Sequence, residues 1–521
     1  MADRCSVPRC HGMILRNSIR TKTSCWMSLP AEIRLLILEA ITFQKYPGWA
    51  SLACVCKEWQ LFIEKRNFRQ LKLRVPCLDD FERIIIRQRD LVRHIWFDIE
   101  LPKYTCRCCD RYEPDSLLHN SSIIRNGIWK LFSILSTWKS ANGLTLELNA
   151  HSPSDSEHWF KDFHFASDDE GNEAETSIQE IGSRWHDPQH GWINGQQVKT
   201  PPRSAIFRLF EMIDMCFQQK LPQVDTVTCF IIRRQLRRWL PPVALWLILD
   251  KLCRLEHMIY EPWWACGGEW QSTSHDSRSP TSRSTTDVWI TEFLLLVQKY
   301  LPKSLKSLLV FEDFNDDLAA ALGKAQLSGH LYVDAARIVD PRIGAAFASR
   351  SLFLKQLSVS YMANAEDFFQ ACMRTWTWQH LQSLALTSQL LQYMGNRQET
   401  YALLCSAGVT ALQMPRLHTL VLWNGRKGNA CAFIYHADRD CAHITWRSTW
   451  DLELSPHVVK VWQCVAFKFH SFELKIDKQR IQGAIGSHGD AIHHLDLPCR
   501  VVAPASLWQI RREGEAGAQH K

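Results

Sequence analysis

A short apolar phrase recurs along much of this 521-residue chain and is the feature that most constrains its fold. In each copy, apolar residues occupy positions 1, 4 and 6, the pattern of a strand that is entered from a turn and buries alternate side chains. The clearest copies begin at Phe68, Leu255, Leu305, Leu354, Leu381 and Leu417, and weaker copies span 144–148 and 224–229. The repetition predicts a series of half-buried β-strands.

Helical stretches separate several of these strands. Apolar residues at helical spacing follow Ser204 and Pro242, and similar stripes cover 289–300 and 368–376. A strand, a helix and another strand in repeated succession predict parallel strands joined by crossover connections. From 431 to 472 the apolar residues alternate in short segments, which predicts antiparallel strands near the C-terminus. The fold class expected for residues 71–480 is therefore α/β.

The 1, 4, 6 phrase resembles the L-x-x-L-x-L core of leucine-rich repeats, which implies an arc with strands on its concave side. The likeness is partial because the intervals between copies are uneven and mostly longer than the roughly 20 to 29 residues of regular repeats. The Asn or Cys that normally follows the phrase is also missing, as at Trp263 and Asp313. An irregular arc is the expectation, and a non-repetitive α/β domain is the alternative.

An arc of this kind predicts where a partner binds. Residues that alternate with the buried leucines face the concave surface, and a large aromatic side chain such as Trp423 is a favoured anchor. The positions predicted to face a protein substrate are Ile259, Leu309, Phe311, Ser358, Ser360, Ala385, Thr387, Val421 and Trp423.

Ahead of the strands, residues 29–68 show the pattern of two short amphipathic helices. Ser28 suits the N-cap position and Pro30 suits the first turn of a helix, after which apolar residues recur at helical spacing from Ile33 to Ile41. The run at 46–48, Tyr-Pro-Gly, breaks this stripe before a second one begins at Leu52. A unit of about 40 residues buries too little surface to be very stable alone, so its spare apolar surface is expected to meet a partner.

This segment resembles an F-box, and the chain as a whole is similar in style to F-box proteins of filamentous fungi. The resemblance implies an F-box over 25–70 behind an N-terminal extension at 1–24. It also implies that this unit docks on the Skp adaptor, which links it to a cullin scaffold. The adaptor-binding residues implied are Leu29, Pro30, Ile33, Leu36, Ile37, Val55 and Trp59. An ordinary helical hairpin within a larger domain is the alternative.

Charge and hydropathy narrow the functional classes. The net charge of +7 is scattered along the chain, which disfavours nucleic-acid binding. The densest basic cluster, Arg233, Arg234, Arg237 and Arg238, is interpreted as a solvated helix face. No secretory signal or long apolar run is visible, so we expect a soluble protein of the cytoplasm, the nucleus or both, without a membrane partner.

The cysteine pattern and the absence of known catalytic motifs argue against an enzyme. The 19 cysteines show no regular pairing, so most are expected to be reduced. Cys106, Cys108 and Cys109 lie near Asp110 and His119 but lack the spacing of a zinc knuckle, and a loop of thiols without metal is expected. No phosphate-binding loop, nucleophile elbow or paired-histidine helix motif occurs. Neither a catalytic residue nor a cofactor is predicted.

Two polar insertions, at 151–202 and 267–286, are expected to be mobile, and 481–521 is expected to form a C-terminal segment that ends in a loose tail. The resulting hypothesis is a non-catalytic substrate receptor of a cullin-RING ubiquitin ligase, with an adaptor-binding F-box and a substrate-binding body. A scaffold or sequestering protein that binds the adaptor outside a ligase is the main alternative. An unrecognised enzyme and a nucleic-acid-binding protein are further alternatives.

Overall fold

The computed structural model of the chain divides into two compact units, residues 1–69 and 70–521. It describes residues 26–43, 48–109, 114–139, 143–163, 185–264, 285–315, 318, 339–438, 441–470 and 473–518. Among these residues, no helix combines the length and the apolar character needed to cross a membrane.

The N-terminal unit is helical, as the two amphipathic stripes predict. A 3-10 turn at Trp26–Ser28 leads into α1 (Ala31–Phe43), and a longer 3-10 segment, Trp49–Cys54, precedes α2 (Lys57–Asn67). Gly48 opens this second segment with a φ of 85°, a left-handed conformation that glycine adopts without steric cost. The break predicted at 46–48 therefore contains the residue that makes the turn possible.

The body is built on one 12-stranded sheet in which spatial neighbours follow chain order. Its strands are β1 (Gln70–Leu73), β2 (His94–Glu100), β3 (Leu144–His151), β6 (Val227–Ile232), β7 (His257–Tyr260), β8 (Ser307–Phe311), β9 (Gln356–Ser360), β10 (Ser383–Thr387), β11 (Thr419–Arg426), β12 (Asn429–Ala437), β13 (Ala442–Ser448) and β14 (Leu474–Arg480). The pairs β11–β12 and β12–β13 are antiparallel, and the other pairs are parallel. A separate hairpin pairs β4 (Trp192–Ile193) with β5 (Gln196–Gln197).

The apolar phrase correctly predicts the strands. Every clear copy coincides with one of β1, β7, β8, β9, β10 and β11, and the weaker copies coincide with β3 and β6. In the β10 copy, Leu381, Leu384 and Leu386 are fully buried. The antiparallel strands expected near the C-terminus are also present, although Trp450 and Leu452 lie after β13 and belong to no strand.

Helices connect the parallel strands of the sheet. They are α3 (Leu78–Ile84), α4 (Pro114–Leu135), α5 (Pro153–Glu157), α6 (Arg203–Leu209), α7 (Pro242–Leu249), α8 (Thr285–Leu295) with a π-helical turn at Leu296–Tyr300, α9 (Pro341–Ser351), α10 (Ala365–Ala371), α11 (Arg397–Ala411) and α12 (Pro456–His470). Crossovers between parallel strands are almost always right-handed, which places successive helices side by side. Accordingly, α9 contacts α10, α10 contacts α11, and α11 contacts α12.

The C-terminal segment is folded, and its last dozen residues, which are expected to form a loose tail, are helical as far as Ala518. It forms α13 (His488–Leu495) and α14 (Pro504–Ala518), and residues 519–521 lie outside the described part. Ile492, Leu495 and Ile510 are buried against the sheet residues of a single apolar cluster. The free energy gained by burying these side chains is the reason that this segment is ordered.

The first insertion is also more ordered than expected. Ser154 and Asp155 of α5 are buried, and Trp192 of the hairpin is 1 % exposed. Polar composition is misleading here because buried partners satisfy the polar groups. Residues 164–184 of that insertion lie outside the described residues. Of the second insertion, only the start of α8 is described.

Candidate functional site

The N-terminal unit presents an apolar surface to solvent. Its interior is small, with Leu38, Thr42 and Ile63 buried. Leu36 is 59 % exposed and Phe43 is 81 % exposed, so much of α1's apolar surface lies outside that interior. A pocket in the same unit is lined by both of these residues together with Arg66.

The residues that the F-box resemblance implies for adaptor binding all lie in this unit and differ in exposure. Pro30, Ile33, Leu36 and Val55 are exposed, whereas Leu29, Ile37 and Trp59 are partly buried. Trp59 packs against Trp26 with ring centroids 5.2 Å apart, and the indole N–H of Trp26 donates to Glu58 over 2.7 Å. Glu58 of α2 also lies 3.4 Å from Arg34 of α1. It therefore connects α2 both to α1 and to the 3-10 turn that contains Trp26.

The strand face predicted to bind a substrate is core, which corrects the predicted exposure. Leu309, Phe311, Ser358, Ser360, Ala385, Thr387, Val421 and Trp423 are buried, and Ile259 is partly buried. The correct part of the prediction is that these side chains share a face opposite the buried leucines. The incorrect part is that this face is open, because α13 and α14 cover it.

Close packing of α13 on β11 shows how tightly this face is closed. A Cβ added at Gly425 would lie 2.6 Å from the Cβ of Ala491 in α13, so a larger residue at either position would force the elements apart. Tyr361, beside Trp423 with ring centroids 5.3 Å apart, donates its hydroxyl proton to the carbonyl of Gly425 over 2.7 Å.

The basic cluster is buried, which corrects its interpretation as a solvated helix face. Arg233, Arg234, Arg237 and Arg238 follow β6 and are at most 3 % exposed. Arg233 donates to both carboxylate oxygens of Glu147 on β3 over 2.7 and 2.6 Å. Arg238 donates to both carboxylate oxygens of Asp155 over 3.1 and 3.0 Å. Burial of these cations is possible because carboxylates from other elements meet them.

The C-terminal helices complete this ionic network. Glu513 of α14 accepts from Arg234 over 2.9 and 2.6 Å and from Arg237 over 3.0 Å. Arg234 also bonds to Asp313, which accepts from His488 at the start of α13 over 2.8 Å. Burial alone would raise the pKa of Asp313, but Arg234 and His488 more than offset this effect and lower it to about 2.

Sequence neighbours that combine Ser, His and Asp at 487–490 have structural roles. Ser487 caps α13 by accepting from the backbone N–H of Asp490, and His488 belongs to the ionic network.

A second cluster combines one thiol and two imidazoles. Cys106, His158 and His190 place one donor atom each within 4.8 Å of one another. His119 is exposed on α4, and Asp110 lies outside the described residues. The cysteine turn of this cluster is the one noted in the sequence, where no metal is expected. Its histidines, which lie 52 or more residues downstream, were not predicted.

Three elements position these side chains. Cys106 opens a 3-10 turn, Cys106–Cys108, shortly after β2, and His158 caps α5 shortly after the neighbouring β3. His190 ends the 3-10 turn Pro188–His190 that leads into the β4–β5 hairpin. The carboxyl ends of neighbouring parallel strands lie at one edge of the sheet, which is why Cys106 and His158 meet.

Hydrogen bonds fix which imidazole nitrogens carry protons. The carbonyl of Tyr104 can only accept, so Nε2 of His158, 3.3 Å away, is the protonated nitrogen and Nδ1 carries the lone pair. Nδ1 of His190 bonds to Asp187 over 2.7 Å, which leaves Nε2 as its second nitrogen. Burial lowers the pKa of His158, and His190 and Lys161 add to this shift.

Comparison with known proteins matches part of the body. Residues 300–503 match a family model described as a family of unknown function (DUF6546). The match spans β8 to α13 and includes neither the N-terminal unit nor the thiol and imidazole cluster. No curated protein matches the chain.

Proposed function

We propose that the N-terminal unit is an F-box that docks on a Skp adaptor. The observation that supports this most strongly is the apolar surface of α1 and the turn before α2, where Ile33, Leu36 and Val55 are 44 %, 59 % and 60 % exposed. Burial of such side chains contributes roughly 25 cal/mol per Å² of apolar surface, so a partner that covers them gains binding energy there.

The body would then hold a protein substrate for ubiquitin transfer by other subunits of a cullin-RING ligase. In this proposal the chain acts by proximity, because it raises the effective concentration of a substrate lysine near the conjugating enzyme. We also propose that the body is an irregular relative of leucine-rich repeats, on the basis of its strand order and recurring phrase. Since α13 and α14 cover one sheet face, the substrate must bind elsewhere on the body.

Co-expression with a Skp adaptor tests the docking step. We expect wild type to co-elute with the adaptor in gel filtration, and we expect Leu29→Ala with Pro30→Ala, and separately Leu36→Asp, to abolish co-elution. Leu36 is exposed, so a carboxylate there disrupts an interface without burying a charge in the folded chain. Leu118→Asp is the matched control because Leu118 is an exposed helical leucine of the body, 64 % exposed.

The outcomes separate the two classes of function. Adaptor and cullin in one purified complex support the ligase receptor, whereas adaptor without cullin supports a scaffold or sequestering protein. If wild type forms no complex, or if Leu36→Asp still binds as well as Leu118→Asp, the docking proposal is wrong.

A further inference from the structure

We propose that Cys106, His158 and His190 form a binding site for a soft divalent metal ion, of which Zn²⁺ is the expected occupant. One thiolate and two imidazoles are donors that zinc prefers. The inference is independent of adaptor docking, which involves the other compact unit.

The spacing of the donor atoms agrees with a shared ion. Cys106 Sγ lies 3.7 Å from His158 Nδ1, and all three donor atoms lie within 4.8 Å of one another. In a tetrahedral zinc site, bonds of about 2.3 Å to sulfur and about 2.0 Å to nitrogen place such atoms roughly 3.5 Å apart. Small side-chain rotations therefore bring all three donors to one ion.

The strongest single observation is the second nitrogen of His190. This residue is 4 % exposed, and its Nε2 has no hydrogen-bond partner among the described residues. A buried polar atom without a partner is costly in a folded protein. A weak hydrogen bond between the Cys106 thiol and His158 would leave that nitrogen unsatisfied, whereas a shared metal ion satisfies all three donors.

The surrounding contacts hold both imidazoles in the orientation that a metal requires. Asp187 bonds to Nδ1 of His190, and the Tyr104 carbonyl accepts from Nε2 of His158, so Nε2 of His190 and Nδ1 of His158 are the nitrogens left for a metal. Carboxylates and carbonyls commonly support metal-binding histidines in this way. Asp187 is itself held by Lys161 over 3.0 Å.

The turn that carries the thiol is also fixed from outside the cluster. The backbone N–H of Tyr104 donates to Ser154 of α5 over 3.2 Å, and the Tyr104 hydroxyl donates to Asp155 over 3.2 Å. On the other side, Trp192 and Gln197 of the hairpin donate to the carbonyl of Trp159 over 3.1 and 2.9 Å. The three ligand-bearing segments are thus already assembled.

Binding would deprotonate Cys106 and release that proton to solvent, because the thiolate is the form that coordinates the metal. The ion would then connect the ends of β2 and β3 to the hairpin. Three protein ligands leave one position of a tetrahedral site for water or another small ligand.

Cobalt substitution of the full-length chain tests the site, with the protein kept under a thiol-free reductant. We expect one Co²⁺ per chain with the visible bands of tetrahedral coordination and a near-ultraviolet band from a thiolate ligand, and Zn²⁺ should displace it. Cys106→Ser should abolish the thiolate band, and His190→Gln should weaken zinc affinity by roughly 10- to 100-fold or more. Cys108→Ser, two residues away in the same turn, should leave the thiolate band and zinc affinity unchanged.

Several outcomes would overturn the proposal. These are wild type that binds no stoichiometric Co²⁺ or Zn²⁺, a thiolate band that survives in Cys106→Ser, or equal effects of Cys106→Ser and Cys108→Ser. Circular dichroism of each variant establishes that it is folded, and a wild-type chain that binds no stoichiometric metal overturns the proposal without any variant.

Discussion

Buried charge in the body depends on side chains that lie far apart in the chain. Arg234 is 1 % exposed and meets Asp313 from the end of β8 and Glu513 from α14. Local composition around 233–238 indicates only a basic helix face, because the partners lie dozens to hundreds of residues away. The histidines of the proposed metal site are likewise far from Cys106 in the chain, so local sequence around the cysteine turn does not indicate them.

Replacement of Asp313 tests how much this network contributes. We expect Asp313→Asn to lower the free energy of unfolding by about 3 kcal/mol, because a buried cation loses part of its compensation. Urea unfolding measures the change. The matched control is Asp451→Asn, whose ion pair with Arg480 is solvent-exposed and should contribute less than about 1 kcal/mol.

The pH dependence of the same variant has a defined sign. Because the pKa of Asp313 is about 2 in the folded chain and about 3.9 when unfolded, its contribution is fully present above about pH 5. It is lost as pH falls from there through about 2. The stability difference between wild type and Asp313→Asn should therefore shrink below pH 4, and a constant difference down to pH 2 would contradict the assignment.

At the scale of elements, the sequence predicts the strands but does not predict which sheet face is covered by helices. The phrase that ends at Leu386 identifies β10 because alternation along a strand is a local property. Whether the opposite side chains, such as Thr387 and Trp423, face solvent depends on α13 and α14, which lie beyond the last strand. The small residues and charges of 510–518 resemble a loose tail, yet this stretch includes Glu513, which pairs with the buried Arg234.

Removal of α14 tests this role. We expect deletion of 504–521 to destroy cooperative thermal unfolding and to increase binding of an apolar dye. The deletion exposes the apolar cluster around Trp423 and removes Glu513, the ion-pair partner of Arg234 and Arg237. Deletion of 516–521 is the control, since it retains Glu513 and most of the helix. If both truncated chains unfold like wild type, α14 is not part of the core.

At the scale of the whole molecule, the two units separate the two proposals. The body buries its apolar clusters with residues of its own range, and each ligand of the proposed metal site belongs to it. We therefore expect residues 70–521, expressed alone, to unfold cooperatively and to bind one Co²⁺ per chain with a thiolate band. The same fragment should not co-elute with the Skp adaptor, because every residue implied in docking lies before position 70.

Each failure of that fragment experiment has its own meaning. A folded fragment that still binds the adaptor would move docking from α1 and α2 to the body and would leave the metal site intact. A folded fragment without cobalt binding, beside a wild-type chain that binds it, would contradict the prediction that residues 70–521 contain the complete donor set. Calorimetry of the full chain provides the reference, since two compact units should add their heats of unfolding when they fold independently.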